Sequence, residues 1–205
     1  MTYGSKGNAR HSCGGFSLVE LLVVISIIGL LAGLSSVAVS NAIKAGKKAK
    51  AKGDLTAIVS AVKAYKLEYG MLPNKYSSTD DEYNSWYGDP QGQAASDAAN
   101  AGKDLMKILS GKNVEAGWPR GMNPKGVRFL EGPDPEGNYL DPWKHQYCVK
   151  MDINDSGALG YGTDQASENL KMEVVAISLG LNGIQDDPKK SSCDDIFSWG
   201  KNLSN

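Results

Sequence analysis

The densest concentration of chemically capable side chains lies near the end of the 205-residue chain. Asn182, Asp186, Asp187, Asp194 and Asp195 place four carboxylates and an amide on a loop interrupted by Gly183 and Pro188. Oxygen ligands at that density repel one another unless a hard cation enters, and calcium is the natural occupant. A solvated acidic loop is the plainer alternative. A second run, Asp152-x-Asn154-x-Ser156-Gly157, opens like an EF-hand loop, but Thr163 stands where the twelfth-position Glu belongs and no flanking helices are evident. It reads better as a hairpin turn.

Catalysis finds little support. The two histidines are His11, near the N-terminus, and His145, on an expected strand beside Lys144, and no Ser-His-Asp, His-Glu-x-x-His or phosphate-cradling glycine motif occurs. Trp86, Trp118, Trp143 and Trp199 could line a carbohydrate-binding face, although core packing suits Trp143 and Trp199 better. The formal charge of −1 hides three unlike pieces: +2 over residues 1–15, +4 over 16–53 and −7 over 54–205. A phosphate-binding surface needs an excess of Lys and Arg, so the acidic C-terminal part argues against nucleic acid as a partner.

The elements that must position these groups begin with an anchor. Leu21 to Ile43 is a run of 23 residues without a charge, and as a helix it spans roughly 34 Å, enough for the hydrocarbon of a bilayer. Lys6 and Arg10 precede it, as in a secretory signal, but the run is too long for one and no small-x-small cleavage site leads into a polar chain. Lys44, Lys47, Lys48, Lys50 and Lys52 follow it as a basic stripe, suited to anionic headgroups, an acidic partner or water. Just before the run stands Gly14-Gly15-Phe16-Ser17-Leu18-Val19-Glu20. Two glycines offer a peptidase an unhindered backbone, and cutting after Gly15 leaves an amine on Phe16 able to neutralise the Glu20 of a neighbouring chain. Without such a partner, a carboxylate at the edge of a membrane helix is costly.

Beyond the lysines, Leu55, Ile58, Val59, Val62, Tyr65 and Tyr69 recur at helical spacing. Gly70 and Pro73 then stop the helix, so one helix is expected from about Phe16 to Tyr69. Residues 74–102 read as a polar surface excursion, Asp104 to Leu109 as a short helix, and 118–135 as a turn-dense stretch with Phe129 and Leu130 tucked beneath it. His145 to Met151 and Met172 to Leu179 are the expected strands. The fold class is α+β, a long N-terminal helix packed on a small C-terminal antiparallel sheet.

Gly15 to Glu20, followed by Leu21-Leu22-Val23-Val24-Ile25, resembles the class III leader junction of type IV pilins and of the pseudopilins of type II secretion. That resemblance implies a prepilin peptidase that cuts after Gly15 and methylates Phe16, with Glu20 setting the axial register of subunits against the N-terminal amine. Tyr139-Leu140-Asp141-Pro142-Trp143 with Tyr147, and Ser178-Leu179-Gly180-Leu181-Asn182-Gly183 with Asp194-Asp195-Ile196 and Trp199, resemble segments of the major pseudopilins, with Lys144 in place of a usual glycine. The likeness is strong over the N-terminal third, moderate over the C-terminal third and poor over 74–120.

From it follows an expected organisation: residues 1–15 a removed leader, 16–43 a membrane-spanning and filament-core helix, 44–70 its amphipathic continuation, and 71–205 a periplasmic head of pilin-like fold. The implied protein is a non-enzymatic subunit anchored once in the bacterial inner membrane. It would polymerise with itself, alongside minor pseudopilins and the inner-membrane secretion platform, to help drive folded proteins across the outer membrane. A type IV pilin or minor pilin for adhesion, motility or DNA uptake is the alternative. The family's calcium falls on Asp194 and Asp195 first, then on Asn182, Asp186 and Asp187. With Cys13 in the leader, Cys148 and Cys193 are the mature chain's two cysteines, a candidate disulfide in an oxidising compartment, with two free thiols the other reading.

Overall fold

The computed structural model describes residues 15–74, 86–91, 97–112, 123–153, 155–157, 159–161, 168–188 and 190–200. Helix α1 runs from Leu18 to Tyr69 and α2 from Asp97 to Leu109. The strands are β1 (Cys148–Met151), β2 (Leu159–Tyr161), β3 (Glu168–Leu170), β4 (Val174–Ser178) and β5 (Ile196–Phe197). The chain divides into two compact units, Met1–Ala45 and Gly46–Asn205.

In the first unit α1 opens with Ser17 as its cap, whose carbonyl accepts the Leu21 N–H at 3.1 Å. Ser17 and Glu20 occupy the two positions of a capping box, and the Glu20 carboxylate sits in the first turn, where the helix dipole favours a negative charge. The side chains that follow, from Leu21 through Leu31, are exposed. The Ser26 hydroxyl bonds the Leu22 carbonyl at 2.8 Å, so the helix itself satisfies it.

In the second unit α1 turns amphipathic. Ala51, Leu55, Ile58, Ala61, Val62 and Tyr65 are buried at three- and four-residue steps, the stripe the sequence periodicity predicts. Gly70, at φ 74°, ends the helix by bonding the Lys66 carbonyl at 2.8 Å, a left-handed position that glycine takes without strain.

Strands β1, β4 and β5 form an antiparallel sheet in the order β1-β4-β5, with Cys148 opposite Ile177 and Ile177 opposite Phe197. Both of its faces are covered. Val149, Met151, Val174 and Ala176 join the core formed with α1 and α2, whereas Cys148, Val175, Ile177 and Phe197 point into a second cluster with Leu159, Leu170, Leu179 and Cys193. Beyond β1, Tyr87 pairs with Val149 through bonds of 2.7 and 2.8 Å and extends the sheet edge.

The expected surface excursion over 74–102 is corrected at its end. Residues 97–102 are the first turns of α2, and Ala99, Ala101 and Gly102 are buried there. Small residues carry too weak a hydrophobic signal to announce a buried face. The first expected strand is shorter than 145–151, because His145 to Tyr147 complete a turn fixed by Asp141. The 152–157 run is not a hairpin turn: β1 pairs with β4 and β2 with β3, so the run links two sheets. Asp152 ties that link by accepting the Ser156 N–H and hydroxyl on Oδ1 and the Gly157 N–H on Oδ2. Three donors from its own loop occupy this carboxylate, which leaves little for a metal.

Candidate functional site

The N-terminal segment presents its chemistry outward. Nothing lies within 4 Å of where a side chain would project from Gly15, and Phe16 is 77% exposed. Glu20 is exposed one turn further on. Among the described residues α1 is the one helix long and apolar enough to cross a membrane, and its side chains from Leu21 to Leu31 are exposed. Water would not tolerate that much bare leucine, isoleucine and valine, so lipid or other helices must cover it.

The acidic loop follows β4. Its foundation is Asp141, which is 2% exposed. Asp141 Oδ1 accepts the backbone N–H groups of Trp143 and His145, both at 2.9 Å, and Oδ2 accepts the Ser178 hydroxyl at 2.6 Å. The Asp-Pro-Trp turn is thereby joined to the end of β4, where the loop departs.

The loop closes on itself through its own carboxylates. Leu181 N–H donates to Asp194 Oδ2 at 2.8 Å, Asp186 N–H to Asp195 Oδ2 at 2.8 Å, and Asp194 N–H to Asp186 Oδ2 at 3.1 Å. One oxygen each from Asp186, Asp194 and Asp195 lie within 4.8 Å of one another. Asp195 is fully buried, and the buried Oδ1 of Asp194 has no hydrogen-bond partner among the described residues. Gly180 makes the approach feasible: at φ 60° its position lets the chain pass where a Cβ would stand 2.6 Å from the Asp194 carbonyl oxygen. A side chain there would push Asp194 out of the cluster.

Of the five residues singled out in the sequence, three therefore meet. Asn182 lies beside them, donating to Asp186 at 3.2 Å, but its own oxygen already accepts the Ile184 N–H at 2.9 Å. Asp187 is exposed and outside the three-residue cluster. Three converging carboxylate oxygens match the hard-oxygen preference of calcium, so the residues present fit that ion. Asp141 and Ser178 were visible only as pieces of a motif, since nothing in one sequence says that their side chains bond.

Cys148 and Cys193 are separate thiols in the same buried cluster. Burial pushes the Cys148 thiol well above its ordinary range, and the neighbouring Asp89, Asp195 and Asp141 add to the effect. It is a poor nucleophile as it stands. Trp86 and Trp199 pack on that same cluster rather than facing outward together, and Lys150 sits 5.7 Å over the Trp86 ring. Trp118 lies outside the described residues, as do the expected leader residues 1–14.

Two comparisons bear on this arrangement. Residues 10–36 match the family model of the prokaryotic N-terminal methylation motif. Over 82 residues the chain is 34% identical to the type II secretion system core protein G of Pseudomonas aeruginosa. The chain resembles a type II secretion pseudopilin. The match takes in 40% of this chain and spans 58% of that relative's length. No solved structure matches significantly. The exposed apolar helix and the pseudopilin relationship together fit a protein that crosses the inner membrane once.

Proposed function

We propose that this pseudopilin-like chain is a non-enzymatic structural subunit of a type II secretion pseudopilus. The observation that carries the reading is the methylation motif set directly on an apolar helix whose side chains from Leu21 to Leu31 are exposed. A prepilin peptidase cleaves after Gly15 and methylates Phe16. The helix then holds the subunit in the inner membrane, with the head in the periplasm, until it packs against the same helix of other copies. Buried among apolar neighbours, the Glu20 carboxylate pairs with the amine of an adjacent subunit's Phe16, which favours a single axial register. The growing filament, with minor pseudopilins and the inner-membrane platform, helps move folded proteins through the outer membrane.

Calcium belongs to this proposal as a structural ion. Asp186, Asp194 and Asp195 would hold it, and it would neutralise three converging negative charges and fix the loop against the sheet. The experiment that tests the whole reading is the mass of the mature N-terminus. A chain beginning at methylated Phe16 is expected; a protein that keeps residues 1–15 in a cell with active prepilin peptidase would refute it. Loss of protein secretion on deletion, with surface pili intact, separates a pseudopilin from a pilin.

A further inference from the structure

The acidic loop, α2, the 86–91 segment and the turn around Lys144 line a half-open cavity of about 270 Å³ that the assembly reading does not use. Asp89, Lys103, Asn138, Lys144, His145 and Leu179 are the lining residues that matter. Small-molecule pockets usually begin at about 300 Å³, so this one suits a ligand no larger than a monosaccharide.

Three independent features mark it as more than a gap in packing. Asp89 is 8% exposed, and while its Oδ1 accepts the Gln91 N–H at 3.0 Å, its buried Oδ2 has no hydrogen-bond partner among the described residues. A buried carboxylate oxygen in that state is costly, and a donor arriving in the cavity recovers the loss. Lys144 has φ 79°, a left-handed backbone that a residue other than glycine adopts only with strain. Glycine would remove the strain, so the lysine side chain has to repay it, and that side chain lines the cavity. His145 Nδ1 lies 2.9 Å from the Gly180 carbonyl oxygen. A carbonyl can only accept, so Nδ1 carries a proton and donates this bond, which fixes the ring's orientation at the cavity wall.

The charges then select the ligand. Lys103 and Lys144 outnumber Asp89, and among the described residues neither lysine forms an ion pair. We propose that this cavity binds a singly charged, hydroxylated carboxylate of monosaccharide size, a uronic acid by chemical class. Its carboxylate meets Lys103 and Lys144, and its hydroxyls donate to Asp89 and bond the His145 ring and the Asn138 amide. A neutral sugar leaves the two ammonium groups unmatched. A zwitterionic amino acid carries no net charge and has too few hydroxyls for the remaining partners.

The test is calorimetric titration of the full chain in detergent micelles with glucuronate, glucose and the free amino acid serine. Glucuronate should bind at least about tenfold more tightly than either of the others, and Lys144→Gly should weaken it by about tenfold or more. Because glycine relieves the left-handed strain, that variant should unfold at the same temperature as the parent or higher, which separates lost recognition from lost folding. Asp89→Asn should also weaken glucuronate. Equal binding of glucuronate and glucose, tighter binding of serine, or a folded Lys144→Gly variant with undiminished affinity would each overturn the proposal.

Discussion

Replacing Asp194 by Asn isolates the electrostatics of the acidic loop. Oxygens of Asp186, Asp194 and Asp195 approach within 4.8 Å, and at an effective dielectric of about 20 two unit charges that far apart repel by about 3 kcal/mol. Asp194 takes part in two such pairs, which solvent reaching the half-buried Asp186 and Asp194 discounts to about 1–2 kcal/mol net. Asparagine keeps an oxygen for the Leu181 N–H and removes the charge. Asp194→Asn should therefore raise the unfolding temperature of calcium-free protein by a few degrees. The parent, given calcium at about a hundred times its dissociation constant, should gain about 2.7 kcal/mol, which is roughly 5 to 10 °C for a head of this size. The variant should lose most of that gain. Thermal unfolding in chelator and in excess calcium, followed by circular dichroism, reads all four values. A parent indifferent to calcium, or a variant that is less stable without calcium yet responds fully to it, would refute the reasoning.

Four further outcomes follow from the geometry. Glu20→Ala should still be cleaved and methylated but should form no filaments by electron microscopy; normal filaments would end the role of Glu20 in register. Gly180→Ala should cost about 2 kcal/mol or more, because its Cβ would stand 2.6 Å from the Asp194 carbonyl oxygen, and it should blunt the calcium response in the same melting assay. Tyr147 donates to Asp54 Oδ2 at 2.7 Å, and burial first, then that bond and the nearby carboxylates, push its phenol upward. A folded-state pKa above the unfolded value contributes stability that is intact below about pH 10 and declines as pH rises beyond it; Tyr147→Phe should flatten that alkaline decline in denaturant titrations. With Cys148 and Cys193 as separate thiols, intact mass should be the same with and without reductant; a gain of two hydrogens on reduction would show them bridged.

The parts legible in the sequence were those with a strong one-dimensional signal. The α1 stripe from Leu55 to Tyr65 shows a helical period because one face is buried and the other is wet. Strand β4 was visible as Val174-Val175-Ala176-Ile177, an apolar run, and its two-sided burial explains why no alternation appears. Strands β2, β3 and β5 are three, three and two residues long, too short for any period to register. The beginning of α2 was hidden because its contact face is built from Ala99, Ala101 and Gly102. The acidic loop was legible as composition, but which carboxylates meet was not. Asp186, Asp194 and Asp195 converge because backbone N–H groups across the loop select particular oxygens, and Asp187, next in the chain, points elsewhere. Asp141 stayed obscure for the same reason: its importance lies in three donors, one of them 37 positions away.

Strand β5 is only two residues long, yet its surroundings hang on residues near the start of the head. Lys52 Nζ donates to the Phe197 carbonyl at 2.5 Å and to that of Ser198 at 3.0 Å, across 145 and 146 positions of sequence. These bonds form late, because a ribosome makes Lys52 long before the carbonyls that it grips. Contacts of such sequence separation slow folding, since the intervening chain must be ordered first. The acidic loop lies just upstream of the same strand, so the segment that seals the head also completes the carboxylate cluster. Until Phe197 and Ser198 are made the head stays unlatched, and a chain truncated before them would keep α1 but lack a finished head.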